Sequence, residues 1–372
     1  MNLLRKRIET LVSGSDTGDR PLLDNVLLGA SFLYGAGVKF KNFGYDYSVF
    51  REKKLPCRVV SIGNIVAGGT GKTPMAIYLA TLLRQRGHRP VVLSRGYGGE
   101  AEKKGAVVSD GHRILCNCWV SGDEPFMMAS RIRGVPVIVG GNRYKSGRDA
   151  VLEFDPDIIL LDDGFQHRRL HRDLNLVLVD ARKMHGNGHL LPRGPLREPA
   201  CALRRSDAII LTRCTGENRL NGTHAGKPVF RTRHAAFVSG VYDGLTPLPD
   251  AIHAKEPTGT DFSLIEKASV FVFSGIAGSQ EFLTSIKNNA KRVVGSMAFP
   301  DHHPYTDEEL EQVAITAGTS RADYLVTTAK DYVRVAGRIP GEIPIVVVDV
   351  RIVFNNQDES AFIRFLANKL AL

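Results

Sequence analysis

The stretch that decides the fold is residues 58–73, RVVSIGNIVAGGTGKT. Its first part, Arg58–Ile62, is rich in β-branched residues and predicts a short strand that ends at Gly63. A glycine-rich loop follows, and a helix is predicted from Lys72 to about Arg86. A loop of this composition between a strand and a helix is the context that a phosphate-binding P-loop requires.

The loop supplies the candidate nucleotide-binding residues, which are Gly68, Gly69, Thr70, Gly71, Lys72 and Thr73. We expect their backbone N–H groups and the positive end of the helix to surround phosphate groups. In a P-loop the lysine reaches the β- and γ-phosphates and the hydroxyl of the last residue binds Mg²⁺. Val66 departs from the general pattern, which has a glycine five residues before Gly71. The alternative is a glycine-rich turn without a ligand, and Gly-Lys-Thr between strand and helix favours the nucleotide site.

A second acidic motif follows a predicted strand further along the chain. Residues 158–164 read IILLDDG, four apolar residues and then Asp162 and Asp163. This is the Walker-B pattern, in which an aspartate at the phosphate-proximal edge of the sheet holds Mg²⁺. Asp-Gly is also a common turn pair, so an ordinary turn at a strand end is the alternative.

Apolar strands alternate with helical segments along most of the chain, which predicts a parallel sheet with helices on both faces. Segment 215–234 is polar and is interpreted as a linker. The fold class is therefore α/β, a P-loop NTPase-like core with a mostly parallel sheet plus a second, smaller α/β domain. Besides the first, the predicted strands are Pro90–Ser94, Pro136–Val139, Asp157–Leu161, Asn175–Val179 and Ala208–Leu211, then Ser269–Ser274, Val293–Met297, Tyr324–Thr328 and Ile345–Val348.

The length of 372 residues is consistent with two domains at roughly 100–200 residues each. We expect residues 1–45 to form an N-terminal membrane-associating helical segment. Residues 46–232 are expected to form the P-loop core and residues 233–372 the smaller domain.

The apolar stretch Leu22–Val38 decides how the N-terminal segment is interpreted. It contains Asp24 and Asn25 and is too short and too polar for a confident membrane-spanning helix. Its flanks are basic, and each Lys or Arg near an anionic leaflet contributes about 1 kcal/mol of attraction. A helix lying in the membrane interface and a helix that simply packs on the domain both remain open. The flanking basic residues are Arg20, Lys39, Lys41, Arg51, Lys53 and Lys54.

Composition restricts the partners and the compartment. The net charge of +10 indicates an anionic partner, which could be a nucleotide, a nucleic acid or an acidic membrane. The hydrophobic content of 43% excludes a disordered chain. The five cysteines match no zinc-site spacing, and their low number favours reduced thiols in the cytoplasm.

Several polar segments are candidate parts of a site, and each also has a plainer interpretation. The cationic segment 165–173 is either a loop that receives an anion or a solvated run of charge. Segment 122–125, GDEP, offers two carboxylates at a helix start, which is also a common helix cap. Segments 186–199 and 299–306 are either parts of the site or surface loops. Segment 327–331, TTAKD, is not counted as a guanine-reading motif.

Together these motifs resemble the tetraacyldisaccharide 4′-kinase family of the lipid A pathway. The resemblance spans most of the chain, and several of its motifs are nearly specific to that family. The P-loop of the family also lacks the first glycine of the general pattern. The matching stretches, in the expected order, are Ser61–Pro74, Ser94–Gly98, Gly122–Pro125, Leu161–Arg168, Leu191–Pro199, Phe299–His302 and Thr327–Asp331.

The resemblance implies transfer of the γ-phosphate of ATP, with Mg²⁺, to the 4′-hydroxyl of a tetraacyldisaccharide 1-phosphate, which gives the bis-phosphorylated lipid A precursor. It implies that Asp123 is the base, assisted by His302, and that Lys72 is catalytic. It also implies a two-stranded linker between the domains and a place on the cytoplasmic face of the bacterial inner membrane. No nucleic acid and no obligate protein partner are expected. The remaining residues that we expect at the rim of the site are Tyr97, Glu124, His167, Arg197 and Glu198.

The resemblance also leads to an expectation about domain movement. Asp123 falls in the predicted core and His302 in the predicted smaller domain. We therefore expect the two side chains to meet only when the domains approach each other.

Two other classes of protein share a P-loop. A regulatory switch or metallochaperone would carry a guanine-reading motif or a Cys/His metal cluster, and neither is visible in the sequence. A soluble small-molecule kinase would not need the Leu22–Val38 helix with its basic flanks.

Overall fold

The computed structural model describes residues 21–215, 226–245 and 262–371. Residues 1–20 of the predicted N-terminal segment and residues 216–225 of the predicted linker lie outside these ranges. The chain forms two compact units. Unit 1 comprises the described residues up to Arg95, Asn142–His234 and the described residues from Ile352 onward; unit 2 comprises Gly96–Gly141 and Ala235–Arg351.

Strands and helices alternate, as the sequence predicts. The strands are β1 Arg58–Gly63, β2 Pro90–Ser94, β3 Ala106–Ser109, β4 Val137–Val139, β5 Ile158–Asp162, β6 Leu174–Asp180, β7 Ala208–Thr212, β8 Val229–Tyr242, β9 Ser269–Ser274, β10 Arg292–Ala298, β11 Tyr324–Thr328 and β12 Ile345–Phe354. The helices are α1 Pro21–Asp46, α2 Lys72–Gln85, α3 Ala101–Lys104, α4 Cys118–Ser121, α5 Asp123–Arg131, α6 Arg143–Phe154, α7 Ser263–Glu266, α8 Ser279–Asn289, α9 Asp307–Thr319, α10 Ala329–Val335 and α11 Asn356–Leu370, with a 3₁₀ helix at Ala200–Arg205.

Unit 1 is built on a parallel sheet in the order β2–β5–β1–β6–β7–β8. Its central strands are buried along their whole length, which agrees with their continuous apolar sequences. Helix α2 packs on β1, β2 and β5, and α6 packs on β2. The predicted α/β class with a mostly parallel sheet is confirmed.

Unit 2 contains a second parallel sheet, β10–β9–β11–β12, and an antiparallel pair of β3 and β4. Phe126 and Met127 of α5 pack in the same core as Phe271, Phe273 and Tyr332. This shared core explains why the segment Gly96–Gly141 belongs to unit 2, although we expected it in the P-loop core.

The end of the chain also departs from the expected contiguous domains. Phe362 of α11 is fully buried, with ring centroids 4.9 Å from Phe354 and 5.1 Å from Phe230. Tyr78 of α2 donates a hydrogen bond to Glu359 at 2.8 Å. These contacts join α11 to unit 1, so the expected single boundary at 232/233 differs from the structure in two segments.

The predicted linker 215–234 is wrong in its last part, because β8 begins at Val229. β8 starts in unit 1 and ends in unit 2, and β12 starts in unit 2 and ends in unit 1. The buried positions of β8 are interrupted by exposed ones, so its sequence lacks the continuous apolar run of the other strands.

Helix α1 is longer than predicted and has two different faces. One face packs on unit 1. There Leu27 and Ser31 are buried, the Tyr34 hydroxyl donates to the backbone oxygen of Arg197 at 2.9 Å, and Asn42 donates to Glu198. The opposite face carries exposed apolar side chains, and Leu22, Phe32, Leu33 and Phe40 each expose at least 70% of their surface. No helix within the described residues combines the length and the apolar character that a bilayer crossing needs.

Candidate active site

The glycine-rich loop adopts a backbone that only its glycines readily allow. Gly68 and Gly71 have φ angles of 107° and 91°, in the left-handed region that favours glycine. A Cβ on Gly71 would also lie 2.5 Å from Nε2 of His234. Gly71 is the N-cap of α2 and has no side chain to cap the helix, so the first backbone N–H groups of α2 lie at the end of the glycine-rich loop, where a helix N-terminus favours an anion.

Side chains of unit 1 hold the glycine-rich loop by hydrogen bonds. Asn64 Nδ2 donates to Thr70 Oγ1 at 3.0 Å, and Thr212 Oγ1 donates to the Thr70 backbone oxygen at 3.0 Å. Arg213 Nη1 donates to the Gly69 oxygen at 2.8 Å and to Asp180 Oδ2 at 2.6 Å. The loop is therefore already ordered by the protein itself, which reduces the entropy lost when it binds an anion.

Val66 has a structural role that explains the missing glycine. It forms an antiparallel bridge with Leu196 and packs against the apolar core of unit 1. The backbone N–H of the next residue, Ala67, donates to the backbone oxygen of Pro195 at 2.7 Å. A residue with a side chain is therefore useful here, because it ties the start of the P-loop to the loop that carries Arg197.

The two aspartates after β5 lie in different environments. Asp162 is buried, and the Ser94 hydroxyl donates to its Oδ2 at 3.1 Å. Asp163 has a φ of 52° and is turned toward the cations of the P-loop. Arg197 Nη1 contacts its Oδ1 and Oδ2 at 3.0 and 2.8 Å, and Lys72 Nζ lies 3.7 Å from Oδ1.

The charge of Asp163 is maintained by these two cations. Burial alone would raise the pKa of Asp163, but the nearby charges of Lys72 and Arg197 outweigh it, so the pKa lies below its ordinary value. The Lys72 side chain is only 11% exposed. Lys72, Asp163 and Arg197 therefore form one charged cluster beside the P-loop.

A second charged cluster lies in unit 2 around Asp123, the first residue of α5. His302 Nδ1 is 2.9 Å from Asp123 Oδ2, and Arg334 donates from Nε to Oδ1 at 3.0 Å and from Nη2 to Oδ2. Burial alone would raise the pKa of Asp123. The hydrogen bonds from His302 and Arg334 and the charge of Arg334 outweigh burial and lower the pKa to about 2. Asp123 is therefore an ionised acceptor at neutral pH.

The expected dependence of this contact on domain approach is wrong. Asp123 and His302 both belong to unit 2, and they are in contact within it. The error came from assigning the segment Gly96–Gly141 to the P-loop core. The core packing of α5 places this segment with the C-terminal residues instead.

Comparison with known proteins identifies the family. The family model of tetraacyldisaccharide-1-P 4′-kinase, LpxK, matches residues 23–371. The chain belongs to this family. It is 38% identical to the tetraacyldisaccharide 4′-kinase of Desulfatibacillum aliphaticivorans over the whole of both chains. It is 42% identical to that of Syntrophus aciditrophicus, over 82% of this chain and 83% of the relative.

A solved structure of the family is similar throughout. LpxK from Aquifex aeolicus, determined in complex with ATP, superimposes with a TM-score of 0.74 and 32% identity, covering 92% of this chain and 99% of that one. Members of this family are kinases by name, and the P-loop cluster of unit 1 is the part of the fold suited to bind a nucleotide.

Two of the expected rim residues of the 4′-kinase lie in unit 2. Tyr97 is exposed, and its backbone oxygen would be 2.9 Å from a Cβ on Gly122, the N-cap of α5. Glu124 follows Asp123 in the first turn of the same helix and is half-buried. The loop of Tyr97 therefore borders the turn that carries Asp123.

His167 and Glu198 lie in unit 1 and are less open than a rim position suggests. Glu198 is buried and pairs with Arg205 and Asn42. Burial, followed by the charges of Arg143 and Lys41, lowers the pKa of His167 to about 4. Both residues lie where α1 packs on the core, and Glu198 directly follows Arg197.

The cationic segment 165–173 is not a solvated run of charge. Phe165 and Arg168 are buried, and Arg168 pairs with Asp46 at the end of α1 at 2.8 Å. The expectation of a loop that receives an anion stays a prediction, since α1 and the sheet already engage much of this segment.

Sequence reasoning missed several residues that shape both clusters. Thr212 and Arg213 support the P-loop from positions that show no motif of their own, and Asn64 lies in the matched stretch Ser61–Pro74 but was given no role there. Arg334 contacts Asp123 across 211 positions of sequence. The signal that could have found it is its spacing from Lys330 in the matched segment TTAKD, which places both residues on one face of a helix.

Proposed function

We propose that the protein is an ATP-dependent lipid kinase that phosphorylates the 4′-hydroxyl of a tetraacyldisaccharide 1-phosphate in lipid A biosynthesis. The observation that carries this proposal is the P-loop cluster of Lys72, Asp163 and Arg197 in a chain of the 4′-kinase family. The hydroxyl oxygen attacks the γ-phosphorus, ADP leaves, and the hydroxyl proton passes to a carboxylate.

Unit 1 supplies the groups that bind phosphate in this proposal. The N–H groups from Gly68 to Thr73 and the start of α2 surround the β- and γ-phosphates. Lys72 is held near them by Asp163, and Arg197 adds a second cation on the same carboxylate. Negative charge that develops during transfer is stabilised by these preordered groups.

Mg²⁺ fits the oxygen donors beside the P-loop. Thr73 and Asp162 offer a hydroxyl and a carboxylate, the hard ligands that Mg²⁺ prefers, and both residues are buried. The helix that begins with Lys72 and Thr73 packs on β5, which ends at Asp162. Lys72 and Arg197 already pair with Asp163. We therefore assign Asp162 as the direct Mg²⁺ ligand, and Asp163 as the carboxylate that positions Lys72 and Arg197. The ion, when bound, neutralises charge on the β- and γ-phosphates.

Unit 2 supplies the base. The Asp123 carboxylate has about four acceptor positions, and Arg334 and His302 occupy three of them. One position on Oδ1 stays available for the proton of the sugar hydroxyl. General-base assistance of this kind contributes typically about 10²–10⁴-fold to a rate.

The direct test is a product assay with purified protein. The protein is incubated with ATP, Mg²⁺ and tetraacyldisaccharide 1-phosphate in detergent, and the lipid is analysed by mass spectrometry. We expect one added phosphate on the 4′-oxygen, located by nuclear magnetic resonance (NMR). Nucleotide hydrolysis without phosphorylated lipid would support a switch instead, and transfer to a water-soluble acceptor alone would support a small-molecule kinase.

We further propose that α1 holds the enzyme on the cytoplasmic face of the inner membrane. Its outer face carries Leu22, Phe32, Leu33 and Phe40, while its inner face packs on unit 1. Burying each large apolar side chain in the interface contributes roughly 1.5–3 kcal/mol. The basic residues that follow add attraction to anionic lipid. In this proposal the packing interpretation of the helix applies to its inner face and the membrane interpretation to its outer face.

Substitutions on the outer face are expected to release the protein from membranes. The triple variant Phe32→Ser, Leu33→Ser, Phe40→Ser removes apolar area without touching the inner face. We expect it to remain in the supernatant when vesicles containing phosphatidylglycerol are sedimented, whereas the parent protein pellets and dissociates as salt rises.

Leu152→Ser is the matched control, since Leu152 is 79% exposed on α6. It should sediment like the parent protein. Equal sedimentation of the triple variant and the parent would contradict the proposed membrane contact and leave only the packing role of α1.

A further inference from the structure

Helix α10 places two cations around the hydrogen-bonded pair formed by Asp123, the proposed base, and His302. Lys330 and Arg334 are four residues apart, so both side chains lie on one face of the helix. Lys330 Nζ is 3.1 Å from His302 Nε2, and Arg334 Nη2 is 3.1 Å from His302 Nδ1. His302 therefore has a cation beside each of its ring nitrogens.

A buried anchor fixes the position of α10. Asp331 is fully buried and accepts hydrogen bonds from Thr328 Oγ1 at 2.7 Å and from the Tyr305 hydroxyl at 3.0 Å. Arg334 Nη1 lies 3.7 Å from the same carboxylate. The segment TTAKD thus forms the N-cap of the helix and orients the residues that follow it.

Hydrogen-bond chemistry allows one consistent placement of the protons. The Lys330 ammonium can only donate, so His302 Nε2 must accept from it. Asp301 Oδ2 lies 3.9 Å from Nε2, beyond hydrogen-bond distance. The imidazole proton must then be on Nδ1, where it donates to Asp123 Oδ2 at 2.9 Å. Arg334 cannot donate to a protonated Nδ1, and its Nε and Nη2 groups donate to Asp123 instead.

We propose that Lys330 and Arg334 are positioning residues for the base: Lys330 directs the imidazole proton of His302 to Nδ1 by donating to Nε2, and Arg334 orients the Asp123 carboxylate with one Oδ1 position open. This proposal rests on the assignment of Asp123 as the base. It gives a role to segment 327–331, which the phosphate-binding residues do not explain.

The other charged and titratable groups around the pair are compatible with this placement. Asp301 accepts from Lys330 at 3.2 Å, and Asp331 faces Arg334. Burial raises the pKa of the Cys118 thiol, which faces Asp123, to about 11, so that thiol stays neutral. Burial and Asp331 also raise the pKa of Tyr305, so its hydroxyl stays a donor.

The tautomer of His302 can be measured without any activity. In ¹⁵N-histidine NMR spectra of the full chain near pH 8, where histidine is neutral, we expect His302 to show a protonated Nδ1. His302→Gln identifies its signals by their loss. Lys330→Met should increase the share of the Nε2-protonated form, because Nε2 no longer accepts from an ammonium, while Asp123 Oδ2 still favours a proton on Nδ1. Lys330→Arg should preserve the original pattern.

Lys287→Met is the control for this experiment, because Lys287 is exposed on α8 of the same unit. It should leave the His302 signals unchanged. A protonated Nε2 in the parent protein, or an unchanged pattern in Lys330→Met, would overturn the role of Lys330 whatever the catalytic assignment of Asp123.

Kinetics test the role of Arg334. Without the guanidinium, burial raises the pKa of Asp123, by about 1–3 units for a lost neighbouring charge. The ratio of kcat for Arg334→Met to that of the parent should therefore fall as the pH is lowered toward about 4, while KM for ATP stays the same. At neutral pH we expect a loss of about 10–100-fold, by analogy with the loss when the hydrogen-bonded partner of a metal ligand is removed.

Arg334→Lys keeps the charge but not the paired geometry, and it covers the case in which the methionine variant folds poorly. It should lose kcat with a ratio that varies little with pH. A ratio independent of pH in both variants would show that Arg334 acts on structure alone. If Asp123→Asn itself kept full activity, the base assignment would fail, and the NMR result would still decide the tautomer.

Discussion

Lys72→Ala is expected to lower the rate of phosphate transfer by about 10²–10³, or roughly 3–4 kcal/mol of transition-state stabilisation. Lys72 is almost buried and lies 3.7 Å from Asp163, so its ammonium group is held beside the P-loop. In the parent protein the Lys72 ammonium stabilises the negative charge that develops on the transferring phosphate, and the variant loses this stabilisation. Steady-state kinetics with saturating lipid would measure the loss.

The control for this variant is Lys145→Ala, which removes an exposed lysine from α6 of the same unit. It should keep the parent rate. Thermal unfolding of both variants separates a loss of folding from a loss of catalysis. Parent-like turnover by Lys72→Ala would end the assignment of this loop as the phosphate-binding site.

The P-loop core was predictable from sequence because its signals are local. The strand from Arg58, the glycines and the helix from Lys72 follow each other within one short stretch, and the structure places them as predicted. The position of Asp162 and Asp163 at the end of a buried strand was also predictable, and the structure places them there. Parallel strands end at one edge of a sheet, so the spatial meeting of these motifs follows from the order of elements.

The division into units was not predictable from the same signals. Gly96–Gly141 follows the P-loop core in sequence but shares its core residues Phe126 and Met127 with the C-terminal sheet. Such packing depends on contacts between distant segments, and no local pattern of α5 reveals them. β8 was missed for a related reason, because its burial alternates irregularly and its composition is polar at its start.

The support of the site was less visible than the site itself. Lys72 and Asp123 belong to motifs, whereas Thr212, Arg213 and Arg334 act through contacts made across the fold. Lys330 and Asp331 stood in a matched segment, yet their chemistry became clear only when α10 placed them beside His302. A sequence motif therefore indicates the reactive residues better than it indicates the residues that hold them in place.

Asp123→Asn is expected to lower kcat by about 10²–10⁴ and to leave KM for ATP nearly unchanged, because the amide cannot accept the proton. His302→Ala should also lower kcat. The double variant should lose less than the product of the two single losses, since residues in direct contact act as a unit. Single-turnover measurements would separate the chemical step from product release.

The stability of Asp123→Asn must be measured beside its rate. The Arg334 side chain is 3% exposed, and the substitution leaves it with the more distant Asp331 carboxylate, at 3.7 Å, as its counter-charge. We expect the free energy of unfolding to fall by up to about 3–5 kcal/mol. Asp307→Asn is the control, because it breaks an ion pair with Arg338 at an 82% exposed carboxylate and should cost less than about 1 kcal/mol without changing kcat. If Asp123→Asn instead raises KM for ATP at unchanged kcat, Asp123 is a binding or capping residue. The base would then have to be Asp162 or Asp163, of which the second is already held by Lys72 and Arg197.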